Sequence, residues 1–417
     1  MTTLMNSPGV GPGTSPARTF GIEEEFLLVD PATGQPEPVA ELALRQGAQR
    51  HASDLAPALT LEVQQEQIEA VGPVCTTLEE LEASVRRGRA MADEAARSVG
   101  VRAAALATSP LWANPSMVPL PRFQLMADRF GLTFKEQLTC GFHVHVGVAS
   151  GEEGVAVLDR IRVWLPVLLA LSANSPFWQG RDSGYASFRY QAWNRWPTAG
   201  PSELFGSERG YRRHIRSLLT TGVLVDEGMV YFDARLSRSH PTVEVRIADV
   251  CLDPAHAAAI AAMVRALVEQ AALDWRAGIR APRVSAAQLR LAGWQASVSG
   301  VEGQLLHPVL NVPCPAADAV EALRTHLRPV LAGSGDEGPV SRELARILTF
   351  GTGSRRQRET LAGSNSLAAV VADAVEVTHG SQNPALQSSA LQVPALQVPA
   401  PAGHPNAGHR NPVKGRP

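Results

Sequence analysis

Residues Phe20–Asp30 read FGIEEEFLLVD, a strand-forming apolar run interrupted by three consecutive acids. In an extended chain successive side chains point to opposite faces, so Glu23 and Glu25 share one face while Ile22, Glu24 and Phe26 share the other. Two carboxylates on one face of a buried strand repel each other and are costly to desolvate unless a cation or an arginine neutralises them. Taken alone, the motif also describes a strand end facing water. Glu24, which points with the apolar residues, is expected to reach a rim or an arginine rather than a metal.

The same two-residue spacing recurs twice. In CGFHVHVG (Cys140–Gly147), His143 and His145 share a face opposite Phe142, Val144 and Val146, and Gly141 and Gly147 leave room beside them. In TVEVRIADV (Thr242–Val250), Glu244 and Arg246 face one way while Val243, Val245 and Ile247 face a core. Each pair alone has a plain structural account, a satisfied histidine or a salt bridge on a wet sheet face. Three strands repeating the pattern point to one shared site.

Clustered glutamates suit Mg²⁺, a hard cation that takes oxygen ligands and shares them with substrate phosphates. An arginine beside them is the expected clamp for phosphoryl oxygens. The leading physical reading is therefore phosphoryl chemistry on a carboxylate-bearing sheet. The chain has no GxxxxGK[ST] and no strand-linked GxGxxG, which argues against a P-loop or a dinucleotide crevice. HExxH and GxSxG are also missing. Two other readings stay open: a zinc hydrolase built on His143, His145 and a glutamate, since imidazole suits zinc, and a nucleotide-binding relative without catalysis.

The 417 residues include 38 basic and 40 acidic ones mixed along the chain, for a net charge of -2, so no global field points to nucleic acid or an anionic membrane. The 45% hydrophobic content supplies a large core. Cys75, Cys140, Cys251 and Cys314 show no CxxC spacing, which fits a reducing cytoplasm. The run VWLPVLLALSA (Val163–Ala173) is too short to span a bilayer and reads as part of a buried helix over 155–172. Further helices are expected over 78–99 and 254–275, and strands over 138–150, 229–236 and 242–250. The segment 177–206 mixes Trp, Tyr and Phe with Arg181, Arg189 and Arg195 among Gly and Pro, and reads as a binding loop. Expected domains are a disordered leader (1–18), one catalytic domain (19–377) and a low-complexity tail (378–417) with ALQVP repeated.

FGIEEEF, CGFHVHVGV, GRDSGYASFRYQAWNRWPTAGP (180–201), PTVEVRIADVCLD (241–253) and GTGSRRQR (351–358) occur in an order that resembles the bacterial carboxylate-amine ligases, the glutamate-cysteine ligase type 2 family. The resemblance implies an α+β, glutamine-synthetase-like domain: an antiparallel sheet with helices packed on one face and the active site on the other. It implies ATP and Mg²⁺ as cofactors, and glutamate with cysteine or another amine as substrates. The carboxylate would be activated as an acyl phosphate. Glu23, Glu25, Glu69, His145 and Glu244 would be metal-site residues, with Glu244 and Arg246 catalytic and Arg246 steadying the transferring phosphoryl group. His143, Arg181, Arg189 and Arg195 would bind substrate. No nucleic-acid or membrane partner is expected, and a homo-oligomer is compatible with the sequence. The chain departs from the family pattern at Ser109, at Gly72 and at Val298, where arginine is common.

Overall fold

The computed structural model describes residues 17–47 and 58–380. The expected leader up to residue 16 and the tail from residue 381 lie outside the described residues. Arg18 is held by Glu153 and Glu269, and Thr378 is the buried end of the Leu367–Thr378 helix.

The strands are β1 (Phe20–Val29), β2 (Ala58–Leu61), β3 (Gln67–Val71), β4 (Arg102–Ala104), β5 (Gly141–Gly147), a separate short hairpin of β6 (Phe177–Trp178) and β7 (Arg181–Asp182), then β8 (Ala234–Leu236) and β9 (Thr242–Asp249). They form an antiparallel sheet of order β2-β3-β1-β5-β9-β8, with β4 pairing the far end of β1. Phe20 and Ile22, Phe142, Val144 and Val146, and Val243, Val245 and Ile247 all join one core with the helices behind the sheet. The expected α+β layering is therefore present, apolar on the helix side and polar on the other.

The Pro254–Arg276 helix is long and apolar enough by composition to cross a membrane. Here it runs behind the sheet against β5 and the helices Leu78–Arg97, Gly151–Ile161, Ala316–Ser334 and Glu337–Phe350. A helix apolar on nearly all sides belongs in a core.

Three expected elements are corrected. The helix over 155–172 is two helices, Gly151–Ile161 and Leu165–Ser172, because Pro166 cannot donate a helical hydrogen bond and instead sits in the first turn of the second. The strand over 229–236 is only Ala234–Leu236. Tyr231 turns away to pack edge-on with Trp193, ring centroids 4.9 Å apart, and the Asp233 amide donates to Gly200 outside the ladder. The strand over 138–150 shortens to β5, since Ser150 caps the next helix.

Glu24 reaches an arginine, but within the core and not at a rim. Glu24 and Arg89 are each 1% exposed. Arg89 Nη2 donates to Glu24 Oε1 at 2.6 Å and Nε to Oε2 at 3.3 Å. The guanidinium also donates to the carbonyls of Leu252 and Cys251 at 2.8 and 2.7 Å. It ties β1, the Leu78–Arg97 helix and the chain after β9 together.

The β5–β9 ladder contains a bulge: Val144 pairs with Val245 but Phe142 pairs with Ala248, so β9 carries one extra residue opposite His143. Beyond it Asp249 lies opposite Gly141. Asp249 accepts from the Asn174 amide, Ser175 Oγ and Ser187 Oγ at 2.9, 2.7 and 2.8 Å. GTGSRRQR supports the same loop: Gln357 Nε2 donates to Asn174 Oδ1 at 2.7 Å, and Gly353 packs on the Asn174 side chain so closely that no Cβ fits. Gly353→Ala is expected to lower stability by about 1–3 kcal/mol through overpacking. Urea denaturation checks this, and an unchanged midpoint would show that the loop yields.

Candidate active site

On the sheet face away from the helices, β1 contributes Glu23 and Glu25, β3 Glu69, β5 His143 and His145, and β9 Glu244 and Arg246. Strand register brings them together: Glu23 pairs with His143, Glu25 with Glu69, and His145 with Glu244. His143 Nδ1 lies 3.0 Å from Glu23 Oε2, and its Nε2 lies 3.8 Å from Glu25 Oε1. His145 Nε2 lies 3.2 Å from Glu23 Oε1 without making a hydrogen bond, while Nδ1 meets Thr242 Oγ1 at 3.0 Å. Glu25 Oε2 accepts the Gly141 amide at 2.6 Å.

Two overlapping sets of side chains could each hold a cation: Glu23, His143 and Glu244, and Glu25, Glu69 and His143, with ligand atoms within 4.8 Å of one another in each set. His143, expected on the substrate side, belongs to both; His145, expected as a ligand, sits beside Glu23 at the edge. The donors fit a divalent cation. They are mostly carboxylate oxygens, and the buried His145 Nε2 has no hydrogen-bond partner.

The electrostatics agree with that fit. Burial pushes the Glu23 carboxyl up, but the His143 and His145 imidazoles outweigh this and hold it well below the usual carboxylate range. Burial likewise opposes ionisation of Glu244, yet the Arg246 and Arg235 guanidiniums keep it charged. At Glu69 burial, then the charges of Glu23 and Glu25, outweigh the Thr60 hydrogen bond and the Arg246 charge and push it up to about 8. Burial and the Arg246 charge push His143 down.

Arg246 Nη1 bonds Glu244 Oε1 and lies 3.4 Å from His143 Nδ1, while its Nε is buried without a partner. Of the three arginines expected to bind substrate, Arg189 is buried beneath Gly141. It donates to the Ile247 and Arg246 carbonyls at 3.3 and 3.4 Å and sits 3.9 Å from Asp249. Arg195 pairs with Glu136 at 2.6 Å and stacks over Trp178; Arg181 is exposed on the β6–β7 hairpin. Neither contacts the carboxylate cluster. Several aromatic rings of this segment, Phe177, Tyr190 and Trp196, are buried core.

Two site residues escaped the sequence reading. Glu62, just beyond β2, is partly buried, and burial with the charges of Glu25 and Glu69 pushes its carboxyl well above the usual range. The signal was Thr60 and Glu62 at the same two-residue spacing; Thr60 Oγ1 donates to Glu69 Oε2 at 2.7 Å. The other is Arg235, which forks onto Glu244.

The family model for glutamate-cysteine ligase family 2 matches residues 19–385. The chain belongs to this family. It is 52% identical over 370 residues to "Putative glutamate--cysteine ligase 2-1" of Paenarthrobacter aurescens, covering 88% of this chain and 96% of that one. A Streptomyces avermitilis relative of the same name is 49% identical, covering 87% of this chain and all of its own. Among solved structures, a glutamate-cysteine ligase of Francisella tularensis in complex with AMP superposes with TM-score 0.61 at 13% identity, covering 90% of this chain and 92% of that one. A bifunctional glutathione synthetase of Pasteurella multocida gives TM-score 0.64 at 14% identity over 88% of this chain, which spans about half (53%) of that longer protein. At these identities the structures speak for the fold, which is the glutamine-synthetase-like one that the family resemblance implies.

Proposed function

We propose that this member of the glutamate-cysteine ligase family is an ATP-dependent carboxylate-amine ligase, with glutamate as acyl donor and cysteine as acceptor, and that it works in the cytoplasm. The observation that carries this reading is the meeting of Glu23, Glu25, Glu69 and Glu244 with His143 and an arginine that still has an unused donor. The AMP bound to the Francisella enzyme supports a nucleotide here. The γ-carboxylate of glutamate attacks the γ-phosphorus, the bond to ADP breaks, and the amine then displaces phosphate from the acyl phosphate.

The two ligand sets around His143 would hold Mg²⁺, which when bound offsets phosphate charge and aligns the γ-phosphate. Arg246 supplies a fixed positive charge to the transferring phosphoryl oxygens. Arg189 is committed to β9 carbonyls and Asp249 and Arg195 to Glu136, so the exposed Arg181 is the freer candidate for a substrate carboxylate. ADP release is expected to require Mg²⁺, glutamate and an amine together, and a screen of amines tests the acceptor. A strong preference for another amine would replace cysteine. Stoichiometric zinc with ATP-independent turnover would overturn the ligase.

Glu69 makes the site pH-dependent. Its folded carboxyl keeps a proton up to about pH 8, whereas an unperturbed glutamate loses it near 4.5. The native state therefore binds more protons than the unfolded chain between those values, and stability of the metal-free protein should fall as pH rises through that window. Mg²⁺ favours the ionised form and should offset the loss increasingly toward pH 8. Melting curves in EDTA and in Mg²⁺ from pH 5 to 8, with Glu69→Gln as control, check this; parallel profiles would count against Glu69 as a ligand.

A further inference from the structure

Arg235 lies on β8 directly opposite Glu244. Its Nε donates to Glu244 Oε2 at 2.8 Å and its Nη2 to Oε1 at 3.2 Å, a two-bond fork. Behind the fork, Nη1 donates to the Val230 carbonyl at 2.8 Å and reaches that of Gly228 at 3.4 Å. All three nitrogens of Arg235 are thus occupied, and the guanidinium is fixed from the turn at its back. Arg246, the other cation on Glu244, differs: its Nε is buried and unpartnered, and Nη1 also approaches His143.

Glu244 is nearly fully buried, so its charge needs a standing counterion. If Arg246 turns its donors to a phosphoryl group, as the proposed ligase chemistry asks, Glu244 must be kept ionised and aimed by something else. We propose that Arg235 is the positioning residue of the site: a static fork that fixes Glu244 toward Glu23 and His143 while Arg246 exchanges partners. The inference rests on the proposed metal role of Glu244. Planarity decides the residue type, because a lysine ammonium at 235 could keep the charge but not hold both oxygens at once.

The test is Mn²⁺ binding to the full-length protein without nucleotide, followed by electron paramagnetic resonance, for wild type, Arg235→Gln, Arg235→Lys, Glu244→Gln and the Arg235→Gln/Glu244→Gln double variant. Loss of an outer partner that orients a ligand weakens metal affinity by about 10–100-fold. That loss is expected for Arg235→Gln, with Arg235→Lys also weakened because it keeps the charge without the fork. The double variant should bind no more weakly than Glu244→Gln alone. Melting curves identify variants that remain folded, and Arg235→Lys serves if Arg235→Gln does not fold.

Unchanged or tighter Mn²⁺ binding in the Arg235 variants, with Glu244→Gln impaired, would overturn the inference alone and leave Arg235 a mere countercharge. A further loss in the double variant would overturn it too, since Arg235 would then act through another group. Mn²⁺ binding indifferent to Glu244→Gln would overturn both the inference and the metal role beneath it.

Discussion

Glu23→Gln is expected to reduce ADP release at least about a thousandfold, equivalent to about 4 kcal/mol of transition-state stabilisation. Glutamine keeps the shape of the side chain but not its charge, and Glu23 is the carboxylate that His143 and His145 both face. Its ionised state is favoured in the folded protein, so no change of pH in the working range lets glutamine imitate it. The neutral variant should also remain folded, because removing one of two neighbouring carboxylate charges, Glu23 beside Glu25, offsets the lost contacts to imidazole. A coupled ADP assay in saturating Mg²⁺, read beside a melting curve, decides the matter. Activity within tenfold of wild type in a folded variant would remove Glu23 from the chemistry.

The second large effect is on stability and lies on the opposite face of the same strand. Arg89→Ala should cost about 3–5 kcal/mol, because it leaves Glu24 charged and buried with no partner. The guanidinium also holds the Leu252 and Cys251 carbonyls, so those acceptors are left bare as well. Replacing both members by apolar residues of similar size, Glu24→Met with Arg89→Met, removes the stranded charge and should be much milder than either single change. Urea denaturation of the two singles and the double measures this. A double variant as unstable as the sum of the singles would mean that the pair is not the source of the effect.

Much of this was legible because β1, β5 and β9 obey two-residue alternation, which a sequence displays directly. It separated Glu23 and Glu25 from Glu24, paired the histidines, and placed Glu244 with Arg246. Arg89 was not legible: it is one of many charges on an amphipathic helix, and nothing local marks the one that turns inward to meet β1. Arg235 was hidden for a related reason, since the run around it reads as one strand whereas Tyr231 leaves the ladder for an aromatic cluster. Val298 lies in the Ala286–Ser299 helix, and its carbonyl accepts the Ala186 amide at 3.1 Å beside the loop anchored on Asp249. Tertiary packing set these features, and spacing along the chain does not encode it.

The extra residue in β9 acts as a phase shift. Upstream of it, even-numbered Glu244 and Arg246 serve the carboxylate face; downstream, odd-numbered Asp249 stands opposite Gly141, which alternation places on that same side with His143. One strand thereby serves two tasks with opposite parity, chemistry before the bulge and the mooring of the Asn174–Ser187 loop after it. Flattening the bulge with every residue kept would move Ala248 opposite Gly141 and throw Asp249 into the helix layer, so a locally tidier strand would come loose from its loop. Transplants and chimaeras within the family should therefore cut outside 242–249 and carry that span as a unit.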